Sequence, residues 1–477
     1  MTDTAKDIAL VVDVDGTLLR TDMLYESFWQ ALGNSPIQCL KVFLQGFSGK
    51  AALKRQLAAL SGLDVTLLPL NSAVLDLCKQ AQDQGRELVL ASGSDEQLVG
   101  ALAKHLAIFN DHLGSDGIGN LTGKRKAAAL VERFGIGGFD YVGDSAVDLP
   151  VWKSARHAFA VGISPATRIA LAQEGIKAKE IGRRWRLRDL LQGLRVHQWI
   201  KNFLLFLPLI AAHRTDIDGI LAVFLGVIAF SAAASSIYVV NDLLDLRADR
   251  LHEKKYARAF ASGKVPIRIA MAASGLLGML SLALSAALSW SLFGIIAIYM
   301  GLSLAYSLVL KRLRWVDVTV LAALYSLRIL AGAIAASVIA SGWLIAFVFP
   351  IFLALGCVKR LTELARTKSD GIVPGRGYAR SDRRDLLNVA ATAAVSAMIV
   401  FLVYTFGETA QRLYANQWEL RLTAVPVALW LYRMIQTGWS GAQDYDPIVF
   451  ALRDWIGIAL ILTTIGMMFH AAGYLAG

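Results

Sequence analysis

The apolar segment from Gly219 to Val240 constrains this chain most, because it carries no charged residue and matches the roughly 20 residues that a helix needs to cross a bilayer. Three acidic residues come soon after this segment in the chain: Asp242, Asp245 and Asp249. At roughly 100° per residue, spacings of three and seven put these carboxylates on one helical face. Carboxylates beside a membrane core are costly, so we interpret this aspartate motif as a site for a cation and a diphosphate.

Composition indicates a membrane protein with a soluble part. Hydrophobic residues make up 56% of the chain and charged residues 18%, with a mean hydropathy of +0.51, which lies outside the usual soluble range. The first ~180 residues nevertheless alternate short strand and helix patterns with charge throughout. Apolar runs then predict about nine membrane spans, near 199–212, 218–240, 266–288, 291–309, 316–337, 342–358, 388–406, 421–437 and 455–475.

Basic residues follow the second, fourth, sixth and eighth predicted spans, as the positive-inside rule requires of cytoplasmic loops. We therefore expect an inner (cytoplasmic) membrane protein with its soluble N-terminal domain and its active sites facing the cytoplasm. This topology, with anionic lipid or phosphate ligands, explains the net charge of +11 better than nucleic acid does. The three cysteines are too few and scattered for a disulfide framework or a zinc site.

Polar residues follow three apolar runs of the N-terminal part that read as buried parallel strands. Asp13 and Asp15 follow the first, Ser92 the second, and Asp144 and Asp148 the third. The carboxyl ends of parallel strands line the crevice in which α/β sheets bind ligands. We expect these side chains to share one crevice.

A basic helix begins after Gly123 and can present Lys126, or alternatively Lys124, to the same crevice. The order Asp-x-Asp-Gly-Thr, Ser-Gly-Ser, Lys, Gly-Asp-Ser-x-x-Asp resembles that of haloacid-dehalogenase-type phosphatases, over about residues 7–165. The resemblance implies an α/β Rossmann-like domain, at residues 1–182, with a small helical cap at about 24–70.

The resemblance also implies roles for these residues. Asp13 would be the nucleophile that forms an aspartyl-phosphate, and Asp15 the general acid and base. Ser92 and Lys126, favoured over Lys124 by its spacing to the apolar helix, would bind the phosphoryl oxygens. Mg2+ would be the cofactor, at an acidic site made of Asp13, Asp15, Asp144 and Asp148.

The aspartate motif is part of a larger pattern that resembles a second protein family. Asn241-Asp-x-x-Asp-x-x-x-Asp249, with Tyr306, Asp317 and Arg328-Ile-Leu-Ala-Gly332, looks like the UbiA superfamily of intramembrane prenyltransferases. It implies an all-α membrane domain over residues 183–477, in which Asn241, Asp242, Asp245 and Asp249 bind a diphosphate through Mg2+. These proteins typically carry a second aspartate-rich motif, where this chain has Lys359, Arg360 and a single Glu363.

That departure, with the sequences Arg195 to Asn202 and Asp446-Pro-x-Val449, resembles the polyprenyl-phosphate (decaprenyl-phosphate) phosphoribosyltransferase branch. The resemblance implies 5-phosphoribosyl 1-diphosphate as donor and a polyprenyl phosphate as acceptor. A donor with phosphate at both ends needs a cationic site besides the metal. Glu363 is a candidate for a second cation or a ribose hydroxyl, and Tyr378 for a phosphate. The candidate cations are Lys201, Lys254, Lys255, Arg258, Lys359 and Arg360.

The two halves together suggest a transferase whose lipid-linked product, destined for cell-envelope or glycan arabinosylation, loses its 5-phosphate to the fused phosphatase. One alternative is an aromatic prenyltransferase of quinone or haem type with an accessory phosphatase. A second, of another class, is a transporter or lipid-binding scaffold with a regulatory domain. A phosphatase with a membrane anchor is a third, although the predicted spans exceed what anchoring needs.

Overall fold

The computed structural model describes residues 8–45, 49–367, 371, 377–443 and 446–474. The chain forms two compact units. One consists of Met1–Leu194 with Tyr238–Ser274, and the other of Arg195–Ile237 with Gly275–Gly477. The aspartate motif therefore belongs to the same unit as the N-terminal strands.

A six-stranded parallel sheet forms the centre of the first unit, in the order β3-β2-β1-β4-β5-β6. The chain order starts at the middle of the sheet and winds to each side in turn, which confirms the predicted Rossmann-like α/β class. The strands are β1 (Ala9–Val12), β2 (Leu88–Asp95), β3 (Asp111–Ser115), β4 (Phe139–Gly143), β5 (Ala158–Val161) and β6 (Ala178–Ile181).

Strand β1 is buried on both faces, as its unbroken apolar sequence predicts. Leu10 and Val12 pack into one hydrophobic core and Ala9 and Val11 into the other, because successive side chains point to opposite faces. The residue that follows β1, Asp13, consequently lies at the middle of the carboxyl edge of the sheet.

Helices surround this sheet. The first three follow β1, and Asp22 caps the first of them by accepting from the backbone N–H groups of Leu24 and Tyr25. The helices of this part are α1 (Met23–Asn34), α2 (Pro36–Gln45), α3 (Lys50–Ser61), α4 (Ser72–Asp83), α5 (Glu96–Leu106), α6 (Lys124–Phe134), α7 (Leu149–Ser154), α8 (Pro165–Gln173) and α9 (Leu187–Gly193).

The rest of the described chain is helical, as predicted. Its helices are α10 (Leu207–Ala211), α11 (Ile217–Leu244), α12 (Leu246–Arg250), α13 (Ile267–Leu288), α14 (Trp290–Leu308), α15 (Val316–Ala335), α16 (Gly342–Arg366), α17 (Arg383–Thr405), α18 (Glu408–Leu413), α19 (Gln417–Leu422), α20 (Ala424–Trp439), α21 (Pro447–Ala451) and α22 (Trp455–Ala471). A 3-10 segment, Val196–Phe206, precedes α10.

Among the described residues, six helices are long and apolar enough to span a bilayer: α11, α13, α14, α15, α16 and Arg380–Thr405, which contains α17. The predicted runs near 199–212 and 455–475 form shorter apolar helices, Val196–Ala211 and Trp455–Ala471, and the run near 421–437 is the 16-residue α20. At 1.5 Å per residue the α-helices α20 and α22 reach about 25 Å, short of the roughly 30 Å hydrocarbon core. The predicted count of about nine spans is not confirmed.

A glycine sets the contact between the 3-10 segment and α15 in the second unit. A Cβ atom on Gly332 would lie 2.0 Å from the carbonyl oxygen of Leu205, so only glycine allows the two backbones to approach so closely. This contact places the part of the segment that carries Lys201 and Asn202 against α15.

Candidate active sites

Three carboxylates converge at the carboxyl edge of the sheet. Asp13 follows β1, while Asp144 and Asp148 follow β4, and oxygen atoms of all three lie within 4.8 Å of one another. A Cβ atom on Gly16, which has φ +75°, would lie 2.4 Å from Asp144 Oδ2. Only a glycine at this position therefore allows the loop after β1 to lie so close to Asp144. Converging carboxylate oxygens are the ligands that Mg2+ prefers, so the residues present fit the ion.

Lys126 joins this acidic site from α6. Its ammonium donates to Asp13 Oδ1 at 2.6 Å and to the Tyr141 hydroxyl at 2.9 Å, whereas Lys124 is exposed. Tyr141 in turn donates to Asp148 Oδ1 at 2.8 Å. No role was assigned to Tyr141 from the sequence, although its position on β4, two residues before the last residue of that strand, is a signal that could have identified it.

Burial dominates the electrostatics of these acids. Burial raises the pKa of Asp13 well above its usual range, although the charge of Lys126 opposes the shift. Burial also raises the pKa of Asp144 to about 7, with a further rise from Asp148 and an opposing effect of Arg268. A divalent cation among these carboxylates would stabilise their ionised forms.

Asp15 is not one of the three converging carboxylates, and its side chain accepts from three donors. The backbone N–H of Met23 donates to its Oδ1 at 2.8 Å, and the hydroxyls of Ser92 and Ser94 donate to its Oδ2 at 3.1 and 2.6 Å. Ser92 thus contacts Asp15. Ser94, to which no role was assigned from the sequence, contacts Asp15 more closely. Every one of these groups lies at the same edge of the sheet as Asp13.

The aspartate motif does not form one continuous helical face. Helix α11 ends at Leu244, Asp245 has non-helical dihedral angles (φ −97°, ψ 8°), and α12 begins at the next residue. Asp242 and Asp249 are buried, and Arg258 Nη1 lies between them, 3.3 Å from Asp242 Oδ1 and 2.7 Å from Asp249 Oδ2. Burial raises the pKa of Asp249, while Arg258 opposes the rise.

The other candidates near the motif are less enclosed. Asn241, on the last turn of α11, accepts at its carbonyl oxygen from the backbone N–H of Asp245 at 3.0 Å. Lys254 is exposed and Lys255 half-buried. The structure thus brings Arg258, among the candidate cations of this segment, into direct contact with the aspartates.

In the second unit, Arg360 lies in a buried ion cluster. Its guanidinium donates to both oxygens of Asp317, at 2.5 and 2.8 Å, and to the Tyr306 hydroxyl at 2.9 Å, and it also bonds Glu363. The Arg360 and Glu363 side chains, predicted as ligands of substrate or cation, are therefore bonded to each other. Tyr378 is buried as well, and its hydroxyl accepts from the backbone N–H of Trp315 at 3.0 Å.

Replacing Arg360 is expected to destabilise this unit, because Arg360→Ala leaves the fully buried Asp317 without its bidentate partner. Breaking a buried pair in this way costs about 3–5 kcal/mol in free energy of unfolding. Thermal unfolding of the purified protein in detergent measures the effect, with Arg384→Ala, an exposed arginine, as matched control. A loss no larger than that of the control contradicts the assigned role.

Two further cations gather around Asp446. Lys201 forms an ion pair with Asp446, and Lys359 also acts on it: burial opposes ionisation of Asp446, yet Lys201 and Lys359 lower its pKa to about 2. The neighbour of Lys201, Asn202, accepts from buried Arg328 Nε at 3.0 Å. Lys201 and Lys359, both predicted as cations, thus act on the same carboxylate, and the residue after Lys201 is bonded to α15.

The fold and the two acidic sites define a membrane transferase joined to a hydrolase. The sequence model of the UbiA prenyltransferase family matches residues 203–453, more than half of the chain, and the chain belongs to this family. That of haloacid dehalogenase-like hydrolases matches residues 10–153. Both predicted resemblances are confirmed, and with its apolar helices the chain is a multi-pass membrane protein.

Relatives of the chain match either almost all of it or a little more than half of it. A protein of Sinorhizobium fredii, uncharacterized protein y4nM, is 35% identical over 97% of this chain and 91% of its own length. Nodulation protein NoeC of Azorhizobium caulinodans is 32% identical over 58% of this chain and 92% of its own. The decaprenyl-phosphate phosphoribosyltransferase of Mycolicibacterium smegmatis is 30% identical over 58% of this chain and 90% of its own.

Proposed function

We propose that the membrane domain, residues 183–477, transfers 5-phosphoribose from 5-phosphoribosyl 1-diphosphate to a polyprenyl phosphate. The observation that carries this proposal is the arrangement of charged side chains in the second unit. Lys201 and Lys359 act on Asp446, and Glu363 is paired with Arg360. This arrangement suits a phosphate better than a second metal-bound diphosphate. The similarity to decaprenyl-phosphate phosphoribosyltransferases supports the same donor and acceptor.

The proposed transfer is a displacement at ribose C1. An oxygen of the lipid phosphate forms the new bond to C1 as the bond to diphosphate breaks, and the diphosphate leaves with the electron pair. Asp242, Asp245 and Asp249 would hold Mg2+, which when bound supplies charge neutralisation for the diphosphate. Arg258, already between two of these carboxylates, can donate to diphosphate oxygens. Lys254 and Lys255 remain candidates for the 5-phosphate.

The N-terminal domain, residues 1–182, is proposed to remove that 5-phosphate. Asp13 attacks phosphorus and forms an aspartyl-phosphate while Asp15 donates a proton to the departing ribose oxygen. Asp15 then takes a proton from the water that cleaves the aspartyl-phosphate and releases inorganic phosphate. Lys126 and Ser92 would neutralise and orient the phosphoryl oxygens, and Mg2+ would be held by Asp13, Asp144 and Asp148.

Removal of the 5-phosphate yields polyprenyl-phosphoryl ribose, a precursor suited to cell-envelope or glycan arabinosylation. The 35% identity to the Sinorhizobium protein extends over both halves, which supports a functional reason for the fusion. Tethering raises the local concentration of one domain's product near the other. The basic residues after alternate apolar spans support an inner-membrane protein with both sites on the cytoplasmic side.

The function is tested by supplying purified protein with labelled 5-phosphoribosyl 1-diphosphate, polyprenyl phosphate and Mg2+. We expect a ribosylated lipid, diphosphate release, and then phosphate release, each followed by mass spectrometry and phosphate assays. A parallel reaction contains a polyprenyl diphosphate and an aromatic acid. Product in that reaction alone contradicts the proposal and favours the aromatic prenyltransferase, and turnover in neither favours a transporter or scaffold.

Tyr141→Phe is expected to lower phosphatase kcat about tenfold, because the change removes the hydroxyl that links Lys126 to Asp148. Hydrolysis of an aryl phosphate by the full-length protein measures the effect. Tyr256→Phe, at an exposed tyrosine, is the matched control. A kcat equal to that of the control shows that Lys126 needs no such link.

A further inference from the structure

Arg250 follows Asp249 directly on the short helix α12, and it forms a buried ion pair with a residue of the helices after β1. Its Nη1 and Nη2 donate to Glu26 Oε2 and Oε1 at 3.0 and 2.5 Å, and the two side chains are only 8% and 2% exposed. Arg250 Nε also donates to the carbonyl of Ala261 at 2.9 Å. The guanidinium group is planar and its N–H donors have fixed directions. A bidentate pair of this kind therefore fixes the orientation of the two side chains as well as the distance between them.

Glu26 is directly connected to the loop that holds Asp15. Thr21 donates through its hydroxyl to Glu26 Oε1 at 2.6 Å, and the Thr21 carbonyl accepts from the backbone N–H of Gly16 at 3.0 Å. Glu26 lies in the first turn of α1, one turn from Met23, whose N–H donates to Asp15 Oδ1 at 2.8 Å. A displacement of Glu26 would therefore shift the donor that orients Asp15.

The segment Tyr238–Ser274 also packs closely against the loop after β1 and against helix α9 of the same unit. A Cβ atom on Gly263, which has φ +66°, would lie 2.5 Å from the Cβ atom of Arg20. Arg20 comes four residues after Gly16 in the chain. A Cβ atom on Gly193 would lie 2.5 Å from the Phe260 ring, and Phe260 is buried. The Arg250–Glu26 pair is thus part of a close-packed contact within the first unit.

We propose that Arg250 is a positioning residue of the phosphatase, supplied by the segment that carries the transferase's aspartate motif. It acts through Glu26, the first turn of α1 and the Met23 N–H on the orientation of Asp15. Because Asp249 and Arg250 are neighbours on one helical turn, the acid of the phosphatase depends on the segment that binds the diphosphate. The inference rests on the proposed phosphatase activity of Asp13 and Asp15, but not on the identity of the lipid or the donor.

The test compares two phosphate esters in the full-length protein reconstituted in nanodiscs. Ribose 5-phosphate has a poor leaving group that needs protonation by Asp15, whereas p-nitrophenyl phosphate has a good one that needs it much less. The variants are Glu26→Gln, Glu26→Arg, Arg250→Glu, the double reversal Glu26→Arg/Arg250→Glu, and Arg247→Glu. Arg247 lies on the same helix and is exposed, so it is the matched control.

Each single charge reversal is expected to lower kcat for ribose 5-phosphate at least about tenfold, with a much smaller loss for p-nitrophenyl phosphate and with KM nearly unchanged. Glu26→Gln should fall between these variants and the wild type, and the double reversal should recover most of the activity. Equal losses on both esters, or losses explained by a smaller folded fraction in thermal unfolding, indicate a structural role and overturn the proposal. Single variants that match Arg247→Glu overturn it too.

The result remains separable from the outcome of the transferase assay. Neither ester requires a lipid or a phosphoribosyl donor, so failure to form a ribosylated lipid overturns the proposed transfer and leaves the Arg250 comparison valid. Failure of the wild type to hydrolyse either ester overturns the phosphatase assignment and this inference together.

Discussion

Asp13→Asn is expected to reduce phosphate release by at least about 1,000-fold, while diphosphate release and formation of the ribosylated lipid continue. The amide cannot form the aspartyl-phosphate, and it also loses the charge that meets Lys126 Nζ at 2.6 Å. The lipid product should therefore accumulate with its 5-phosphate intact. Mass spectrometry of the lipid fraction, with parallel assays of phosphate and diphosphate, measures both results.

The matched control for this variant is Asp76→Asn, at an exposed aspartate of α4 in the same unit. It should release both phosphate and diphosphate at wild-type rates. Phosphate release by Asp13→Asn at the rate of this control removes Asp13 from the reaction. Loss of diphosphate release as well would show that the two activities are not separate.

Asp242→Asn is expected to have the opposite pattern, with lipid product and diphosphate release reduced by at least about 100-fold. Asp242 is buried, and its carboxylate lies 3.3 Å from Arg258 Nη1. The change removes a negative charge from the proposed metal site, and it weakens the interaction that holds Arg258 beside the aspartate motif. Hydrolysis of p-nitrophenyl phosphate should persist, since Asp13 and Lys126 are unaltered.

Asp218→Asn is the control for this second variant, because Asp218 is exposed and lies in the first turn of the same helix, α11. It should transfer normally. Transfer by Asp242→Asn at the rate of the control contradicts a metal-diphosphate site at the aspartate motif. Titration of Mg2+ in both variants adds a second measure, since weakened metal binding raises the concentration needed for half-maximal rate.

Much of the fold could be predicted from local patterns. The apolar run of β1 predicted a strand buried on both faces. The ordered motifs at the carboxyl ends of β1, β2 and β4 predicted a shared crevice, in which Asp13, Asp144 and Asp148 do converge. Long apolar runs predicted the six helices able to span a bilayer. Three other predicted runs form shorter apolar helices, because hydropathy alone does not show where a helix begins and ends.

The candidate sites were predicted less completely, because partners far apart in sequence decide what a charged side chain does. Spacing placed Asp242, Asp245 and Asp249 on one face, but the helix ends before Asp245 and Arg258 lies between the other two. Arg360 and Glu363 were predicted as ligands of substrate or cation, and nothing in the sequence indicated that Arg360 bonds Asp317, 43 residues away along the chain.

The amino-acid sequence was enough to predict which segments leave water, which chemistry the acidic motifs can carry, and which families the two halves resemble. These properties follow from hydropathy, periodicity and short motifs, each of which depends on neighbouring residues. Two links became visible in the folded chain alone: Tyr141 joins Lys126 to Asp148, and Arg250 of the aspartate segment is bonded to Glu26, 224 residues away. Such pairs depend on burial and on the directions of side chains brought together by folding, which no local pattern encodes.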